Sequence, residues 1–222
     1  MDFGIITGPS SPTLNDAIDS INRLKFVDDY EIIVVGGENI DKKNVRHFAF
    51  DESVKDMWIT RKKNIIAEEA KYENLCMLHD YVALVPGWAT SFEKFGSNWD
   101  VCMTPVINRD GQRFRDWITN DEWCEEGKLL FLEYSTADRT QDMYVSGTYF
   151  CVKKQFLLEN KFNEDLCWGE YEDGEWSDRC RKKWNYRCNA KSPVALLKLK
   201  QNDHWYDNNN MQIRQKWNMK LN

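Results

Sequence analysis

The sequence predicts one α/β domain in which helices flank a central, twisted and mostly parallel β-sheet. Two apolar runs, 3–7 and 31–35, are each followed by glycine, and a segment with helical spacing lies between them. This strand–helix–strand order is typical of a parallel sheet. A third apolar run, 75–78, leads directly into polar residues at 79–81. In open α/β sheets, the carboxyl ends of buried strands are where ligands bind.

The first helix has a recognisable start in the sequence. Ser11 is a suitable N-cap residue, and Pro12 would then take the first helical position. Apolar residues recur at helical spacing from Leu14 to Leu24, which predicts that one face of this helix is buried.

The rest of the chain continues the alternation of helices and strands. A charged segment with apolar residues at helical spacing predicts a helix over 58–72. Residues 110–142 are polar and aperiodic, which is typical of a functional loop that is only partly strand. The apolar run 144–152 predicts a strand of the main sheet. A helix is expected over 170–183, with acids at its start and bases at its end, and a last strand over 195–197.

Length and charge narrow the class of protein. A chain of 222 residues can bury one sizeable core but is short for two full domains. Hydrophobic residues make up 42% and charged residues 30%, which predicts a globular rather than a disordered chain. The net charge is −6 and the basic residues are scattered, so a nucleic-acid partner is not expected. No stretch reaches the roughly 20 apolar residues of a membrane span.

The cysteines indicate a reducing compartment. There are 7, an odd number, with no CxxC spacing, and several lie inside apolar runs. We therefore expect reduced, structural thiols. The sequence also begins without the pattern of a signal peptide, so we expect a cytoplasmic protein.

Three groups of residues could carry chemistry, and the first is His79-Asp80-Tyr81 after the third strand. A carboxylate at this place is a natural oxygen ligand for Mg²⁺ or Mn²⁺ bridging a diphosphate. The alternative is an aspartate that only caps a turn.

The second group is the segment 168–179, which holds five acids and two tryptophans within twelve residues. Glu172 and Asp173 offer a general base that could deprotonate a sugar hydroxyl. Trp168 and Trp176 could stack on a sugar ring. The alternative is an acidic helix start stabilised by the helix dipole, with both tryptophans in the core.

The third group is Asp203-His204-Trp205, after the last predicted strand. Neutral imidazole is a common metal ligand, and the chain has only 3 histidines, so a late histidine beside an acid is a candidate ligand. The alternative is an ordinary surface histidine.

Taken in this order, the three groups resemble GT-A glycosyltransferases, close to the large family-2-like group. Residues 78–88 resemble that family's DxD strand with the Pro-Gly-Trp that follows it, and residues 172–179 resemble its Glu-Asp-x-Asp-x-Ser-x-Arg segment. The resemblance extends from Phe3 to about Trp205. It implies a single GT-A (Rossmann-like) domain over 1–222, with a nucleotide-binding part of about 1–100 and an acceptor part of about 101–210.

The resemblance also implies an activity and its residues. The enzyme would transfer a sugar, hexosyl in type, from a UDP- or GDP-type donor to a hydroxyl of a glycan or other acceptor. Asp173 would be the base of an inverting transfer, and Glu172 would orient it. Asp80 and His204 would hold Mn²⁺ or Mg²⁺. The implied donor-binding residues are Thr7, Gly8, Pro9, Gly36, Gly37, Glu38, Arg61, Lys62, Asn64, His79, Asp80 and Tyr81. The acceptor-binding residues are Ser146, Gly147, Trp168 and Trp176.

The sequence departs from the family pattern at one motif. Histidine and tyrosine replace the two acids of DxD, so that Asp80 is the carboxylate left between His79 and Tyr81. The expected metal therefore depends on Asp80, with His204 as its partner.

Alternatives from other classes stay open. A non-catalytic sugar-binding module on the same fold is favoured by the altered motif and opposed by the Glu172-Asp173 pair. A sugar nucleotidyltransferase would be expected to carry a basic residue in its phosphate loop, and residues 8–12 have none. An α/β domain with an unrelated ligand is the third possibility.

Overall fold

A computed structural model describes residues 1–119, 130–136 and 143–200. The helices are α1 (Leu14–Asn22), α2 (Ile59–Glu69), α3 (Trp88–Phe95), α4 (Lys154–Glu159) and α5 (Glu172–Cys180). The strands are β1 (Asp2–Ile6), β2 (Glu31–Val35), β3 (Val45–Phe48), β4 (Asn74–His79), β5 (Val82–Leu84), β6 (Val101–Met103), β7 (Val106–Ile107), β8 (Ile118–Thr119), β9 (Leu130–Phe131), β10 (Met143–Tyr144), β11 (Tyr149–Lys153), β12 (Tyr186–Cys188) and β13 (Val194–Leu196).

The main sheet has seven strands in the order β12-β6-β11-β4-β1-β2-β3. Strand β11 runs antiparallel to β4 and β6, and the other six strands run in one direction. The predicted α/β fold with a mostly parallel sheet is therefore confirmed. Two small sheets, β10-β8-β9 and β5-β13-β7, extend it.

The first helix follows the predicted periodicity but not the predicted start. Helix α1 buries Leu14, Ala17, Ile18 and Ile21, which share one face at helical spacing. The helix begins at Leu14, however, so Ser11 and Pro12 lie in the loop before it. The predicted N-cap is wrong, because Thr13 takes that position; the loop before it lines a cavity at the edge of the sheet.

A glycine allows α2 to lie close to the central strand β1. A β-carbon built on Gly4 would lie 2.2 Å from Cγ2 of Ile66, far inside van der Waals contact. Only glycine permits this approach without a shift of the helix. The contact fixes α2, which carries two lysines of the candidate site, against the sheet.

The predicted strand over 144–152 is in fact two strands in different sheets. Strand β10 ends at Tyr144 in a small sheet, and β11 begins at Tyr149 in the main sheet. Residues 145–147 between them bond instead to α5, because the Val145 and Gly147 N–H groups donate to side chains of that helix. The apolar pattern alone could not reveal this break, since its cause lies about thirty residues further along the chain.

The expected loop over 110–142 is partly ordered by a buried carboxylate. Asp116 is fully buried and accepts hydrogen bonds from the side chains of Arg113 and Tyr134 and from the Val106 N–H group. Strands β8 and β9 also belong to this stretch. Residues 120–129 and 137–142 lie outside the described residues.

Two further sequence predictions concern the cysteines and the membrane. The six cysteines in the described ranges carry free thiols, as predicted. Within those same ranges, none of the helices combines the length and the apolar character needed to cross a membrane.

Candidate active site

The carboxyl ends of β1, β2 and β4 meet at one edge of the sheet, because these strands are parallel neighbours. Thr7 follows β1, Gly36 follows β2 and Asp80 follows β4. The Thr7 hydroxyl donates a hydrogen bond to Oδ2 of Asp80 at 2.7 Å, which ties two of these loops together. Three adjoining cavities lie along this edge, where open α/β sheets bind ligands.

The first cavity, which we call the loop cavity, lies between the loops 7–12 and 37–42 and has a volume of ≈ 600 Å³. This size is typical of a small-molecule site. Gly36 has a left-handed φ of 95°, and a β-carbon there would lie 2.4 Å from the Thr7 carbonyl oxygen. The turn therefore requires glycine. The predicted donor residues that line the loop cavity are Thr7, Gly8, Pro9, Gly37 and Glu38.

The second cavity, the lysine cavity, has a volume of ≈ 430 Å³ and is lined by three lysines together with Glu52, Asp56 and Asp80. Lys62 of α2 is buried, donates to the Thr7 carbonyl oxygen at 2.7 Å and pairs with Glu52. Lys198 and Lys200 follow β13 and lie over the ring of Tyr81, with their nitrogens 4.0 and 5.3 Å from its centre. The predicted residues His79, Asp80 and Tyr81 line the same cavity.

The two residues that replace the acids of the motif are both neutral. Burial, with the nearby charges of Lys63, Lys200 and Lys198, lowers the pKa of His79 well below its usual 6.5. Burial raises the pKa of Tyr81 to about 12. The two rings lie 5.2 Å apart. At the motif itself, the site therefore presents a neutral imidazole and a phenol on either side of Asp80, while Glu52 and Asp56 line the same cavity from another loop.

The third cavity, the acidic cavity, has a volume of ≈ 110 Å³ and is lined by Glu172 and Asp173 at the start of α5. One carboxylate oxygen of Asp173 accepts a hydrogen bond from the Tyr144 hydroxyl, and the other accepts from the Gly147 N–H group at 2.9 Å. Ser177 donates to the Asp173 carbonyl oxygen at 2.7 Å and accepts from the Val145 N–H group. The Asp173 carboxylate is thus held in one orientation.

The start of α5 is shaped by local backbone geometry. Tyr171 precedes the helix with a left-handed φ of 63°. Its ring occupies the space beside Gly174, where a β-carbon would lie 2.1 Å from Cε2 of Tyr171. Glu172 is buried and accepts from the Gly169 N–H group at 3.2 Å. Burial, and the neighbouring charge of Asp173, raise the pKa of Glu172.

A buried lysine lies beneath this acidic cavity. Lys63 is 1% exposed, and its amine makes no hydrogen bond to any residue that the structure describes. A β-carbon on Gly147 would lie 2.6 Å from this amine and 3.4 Å from Oδ2 of Asp173. Burial lowers the pKa of Lys63, whereas the charges of Glu172 and Asp173 act to raise it.

The predicted donor residues Arg61 and Asn64 lie away from the three cavities. Arg61 pairs with Glu68 and Glu164, and the Asn64 amide donates to the Phe162 carbonyl oxygen at 3.0 Å. In the described part of the chain, neither side chain lines any of the three cavities. Residues 61 and 64 share one face of α2 at i, i+3, and that face binds the segment before α5.

The predicted acceptor residues divide into two groups. Trp176 is fully buried, stacks on Phe162 at 5.1 Å and donates its indole N–H group to the Asn160 carbonyl oxygen. It belongs to the core, so its predicted contact with the acceptor is wrong. Ser146, Gly147 and Trp168 line the acidic cavity, and the Trp168 side chain is 53% exposed.

Solved structures of two other proteins are similar to this chain. GalNAc-T7 with UDP, GalNAc and Mn²⁺ matches with a TM-score of 0.64 and 13% identity, over 93% of this chain and 44% of that one. S. aureus TarS 1-349 in complex with UDP-GlcNAc matches with a TM-score of 0.62 and 12% identity, over 92% of this chain and 60% of that one. Both are GT-A fold glycosyltransferases.

The chain has the GT-A fold. It spans about half the length of these two proteins. No protein-family model and no curated protein matches the sequence.

The expected divalent ion does not fit the side chains described around this GT-A site. Hard cations such as Mg²⁺ and Mn²⁺ take several oxygen ligands. Asp80 already accepts a hydrogen bond from Thr7, and its neighbours His79 and Tyr81 are neutral. Within residues 1–119, 130–136 and 143–200, no three His, Cys, Asp or Glu residues lie close enough to hold a metal ion. The predicted ligand His204 lies outside these ranges.

Several residues of the site were missed in the sequence. Lys198 and Lys200 follow a strand at i, i+2, and this alternation could have placed both on one side. Tyr144 had no such signal, because its contact with Asp173 joins distant parts of the chain.

Proposed function

We propose that this chain is a glycosyltransferase that moves a sugar from a nucleotide-diphosphate donor to an acceptor hydroxyl, with Asp173 as the general base. The observation that carries the proposal is the fixed Asp173 carboxylate, which lines a cavity adjoining the lysine cavity. Two hydrogen bonds orient it before any substrate arrives. Such preorganisation is what catalysis by a positioned base requires.

The donor would occupy the other two cavities, which lie side by side along the edge of the sheet. The loop cavity has the volume for a nucleoside, and the lysine cavity beside it has the positive groups for a diphosphate. UDP in the structure of GalNAc-T7 and UDP-GlcNAc in that of TarS make UDP-sugars the first donors to try. The acceptor hydroxyl would enter the acidic cavity past Trp168, which borders both cavities.

The proposed reaction is a single displacement. The acceptor oxygen forms a bond to the anomeric carbon of the sugar while its proton moves to the Asp173 carboxylate. The bond between the anomeric carbon and the diphosphate oxygen breaks, and its electron pair leaves with the nucleoside diphosphate. Attack opposite to the leaving group inverts the anomeric carbon. Buried Glu172 keeps the Gly169 backbone in place beside the base.

The test is the variant Asp173→Asn, which keeps the shape of the side chain and removes its basicity. We expect its kcat to fall about 10²- to 10⁴-fold, the usual contribution of a general base. Release of nucleoside diphosphate from a panel of UDP- and GDP-sugars, with glycan acceptors, measures the effect.

A matched control is Asp178→Asn on the same helix. Asp178 pairs with Arg181 at the surface, so this change should leave both kcat and KM near those of the parent. Full activity in Asp173→Asn would contradict the assigned base.

A second candidate function is a sugar-binding module without catalysis. The observation that favours it is the replacement of both motif acids by the neutral His79 and Tyr81. Such a module would bind a nucleotide-sugar and release no nucleoside diphosphate. A nucleotidyltransferase, in contrast, would release pyrophosphate when it forms the donor, so the identity of the released phosphate separates all three functions.

A further inference from the structure

A lysine that the proposed mechanism does not use lies behind the acidic cavity. Lys63 of α2 is 1% exposed and is one of the larger side chains that the fold buries fully. Within the described ranges, its amine makes no hydrogen bond. A buried polar group without a partner costs stability, and an apolar side chain of similar length would avoid that cost. The presence of a lysine at this position therefore points to a role other than stability.

The amine lies close to the groups that hold the proposed base. A β-carbon built on Gly147 would lie 2.6 Å from the Lys63 nitrogen and 3.4 Å from Oδ2 of Asp173. The Gly147 N–H group donates to that same oxygen. Lys63 does not itself line the acidic cavity. Any effect that it has on the reaction must therefore act through the carboxylates rather than by contact with the substrate.

The contacts around Asp173 and Lys63 indicate which of the two groups holds a proton. The Asp173 carboxylate accepts hydrogen bonds from the Tyr144 hydroxyl and the Gly147 N–H group, and such donors stabilise the ionised form of a carboxylate. The Lys63 nitrogen lies over the ring of Phe162, 4.7 Å from its centre. The negative face of an aromatic ring attracts a cation, so this contact favours the protonated amine.

We propose that Lys63 is a positioning residue that keeps the Glu172-Asp173 pair ionised, so that Asp173 can accept the proton of the acceptor hydroxyl. The proposal rests on the proposed function and deepens it, since it names what controls the base. Two neighbouring carboxylates repel each other, which favours protonation of one of them, and a positive charge beside them opposes this. Burial and the charge of Asp173 raise the pKa of Glu172, whereas the charge of Lys63 acts to lower it.

Other titratable groups face the pair, but they do not take the place of Lys63. They are His79, Tyr81, Arg115, Tyr144, Tyr171 and Lys200. His79 and Tyr81 are neutral. Arg115 and Lys200 are only half-buried and line the cavity itself. Solvent screens charges at such positions more than the charge of a fully buried amine.

The first test measures the protonation of the base without any substrate. The side-chain carboxyl carbon of Asp173 is followed by carbon-13 NMR across the acidic range, and its signal is assigned by its absence from Asp173→Asn. Lys63→Met keeps the length of the side chain and removes the amine. We expect the midpoint of the titration to rise by about 1 pH unit in this variant. An unchanged or lowered midpoint would overturn the proposal.

Lys161→Met is the matched control. Lys161 is next to Phe162 in the sequence, but its amine pairs with Glu68 and its side chain is 44% exposed. This change should leave both the midpoint and the rate of transfer as in the parent. Lys63→Met itself should fold, because it removes a buried group that has no hydrogen bond to the described residues. A variant that did not fold would also overturn the proposal, since the fold itself would then require the amine.

The second test asks whether Lys63 affects transfer through Asp173. The pH at which kcat/KM falls to half of its plateau should rise in Lys63→Met by about as much as the NMR midpoint does. In Asp173→Asn, the further change Lys63→Met should leave the residual kcat as it is, because the group through which Lys63 acts is gone. An additional fall in kcat would assign Lys63 a role independent of the base and would overturn the proposal.

Failure of the proposed function gives a different result from failure of this proposal. In that case the carboxyl midpoint would still rise in Lys63→Met, since it is measured without substrate. The parent, however, would consume no nucleotide-sugar at any pH.

Discussion

The two sides of the candidate active site depart from the motifs of GT-A glycosyltransferases to different degrees. On the acceptor side, the Glu172-Asp173 pair keeps its acids, and Tyr144 and Gly147 hold the second carboxylate. On the proposed donor side, His79 and Tyr81 stand in place of the motif acids, and the cavity is lined by three lysines and three acids. The proton-accepting side needs a carboxylate at one position. The leaving-group side of such a transfer needs the departing negative charge to be stabilised, which groups from several elements can do.

Among the substitutions that test this comparison, Gly147→Ala should lower kcat the most after Asp173→Asn. The added β-carbon would lie 2.6 Å from the Lys63 amine, so the turn or the lysine must shift. Because the Gly147 N–H group holds Asp173, this shift moves the base. A displacement of about 1 Å costs on the order of 100-fold in rate.

Steady-state kinetics measures the loss of rate in Gly147→Ala. Pyrophosphate binding serves as the control, since the proposed donor side should be unaffected. A kcat equal to that of the parent would show that the turn does not position the base.

Tyr144→Phe, which also acts on the Asp173 carboxylate, should lower kcat less than Gly147→Ala does. It removes one of the two hydrogen bonds to the Asp173 carboxylate and keeps the ring that packs beside Tyr171. A hydrogen bond to a charged group contributes about 1.5–3 kcal/mol, so kcat should fall by about 10-fold or more while KM changes little. Single-turnover rates under saturating donor measure this. A large rise in KM with an unchanged kcat would assign Tyr144 to substrate binding instead.

Lys63→Met should raise the stability of the fold and lower its transfer activity. The buried amine makes no hydrogen bond to the described residues, so an apolar side chain of similar length should stabilise the fold by about 1–3 kcal/mol at neutral pH. For a domain of this size, each kcal/mol raises the melting temperature by about 2–4 °C. Transfer should fall, because the amino group that interacts with Glu172 and Asp173 is lost. A lower melting temperature in the variant would contradict this reading of Lys63.

The pH dependence of stability follows from the same residue. Folding lowers the pKa of Lys63 from its ordinary 10.5, so the folded state binds its proton less tightly than the unfolded state does. The loss of folding stability caused by burying the Lys63 amine is therefore fully present below its folded-state pKa and disappears as pH rises towards 10.5. The stability gained by Lys63→Met should shrink over this interval. Chemical denaturation of parent and variant across the alkaline range measures it, and a gain that grows with pH would contradict the sign.

Much of the fold could be predicted because its signals are local. The apolar runs before Thr7, Gly36 and Asp80 predicted three parallel strands, and their carboxyl ends do meet at one edge. The break between Tyr144 and Tyr149 could not be predicted, because hydrogen bonds donated to side chains of α5 cause it. Local apolar patterning carries no information about such distant partners.

The site was predicted less completely for related reasons. Asp173 and Ser177 stand at i, i+4 on one helix, so a local pattern could identify them. The sequence did not show which face of α2 points towards the cavities. The side chains of Arg61 and Asn64 bind Glu164 and the Phe162 carbonyl oxygen instead. Lys198 reaches Tyr81 only through the pairing of β13 with β5.

The central claim is that Asp173 is the base of a single displacement at this edge of the sheet. The anomeric configuration of the product tests it most directly, by proton NMR of the sugar transferred from a donor of known configuration. The account predicts the opposite configuration in the product, formed by the parent and lost in Asp173→Asn. A product that retains the configuration of the donor would contradict it.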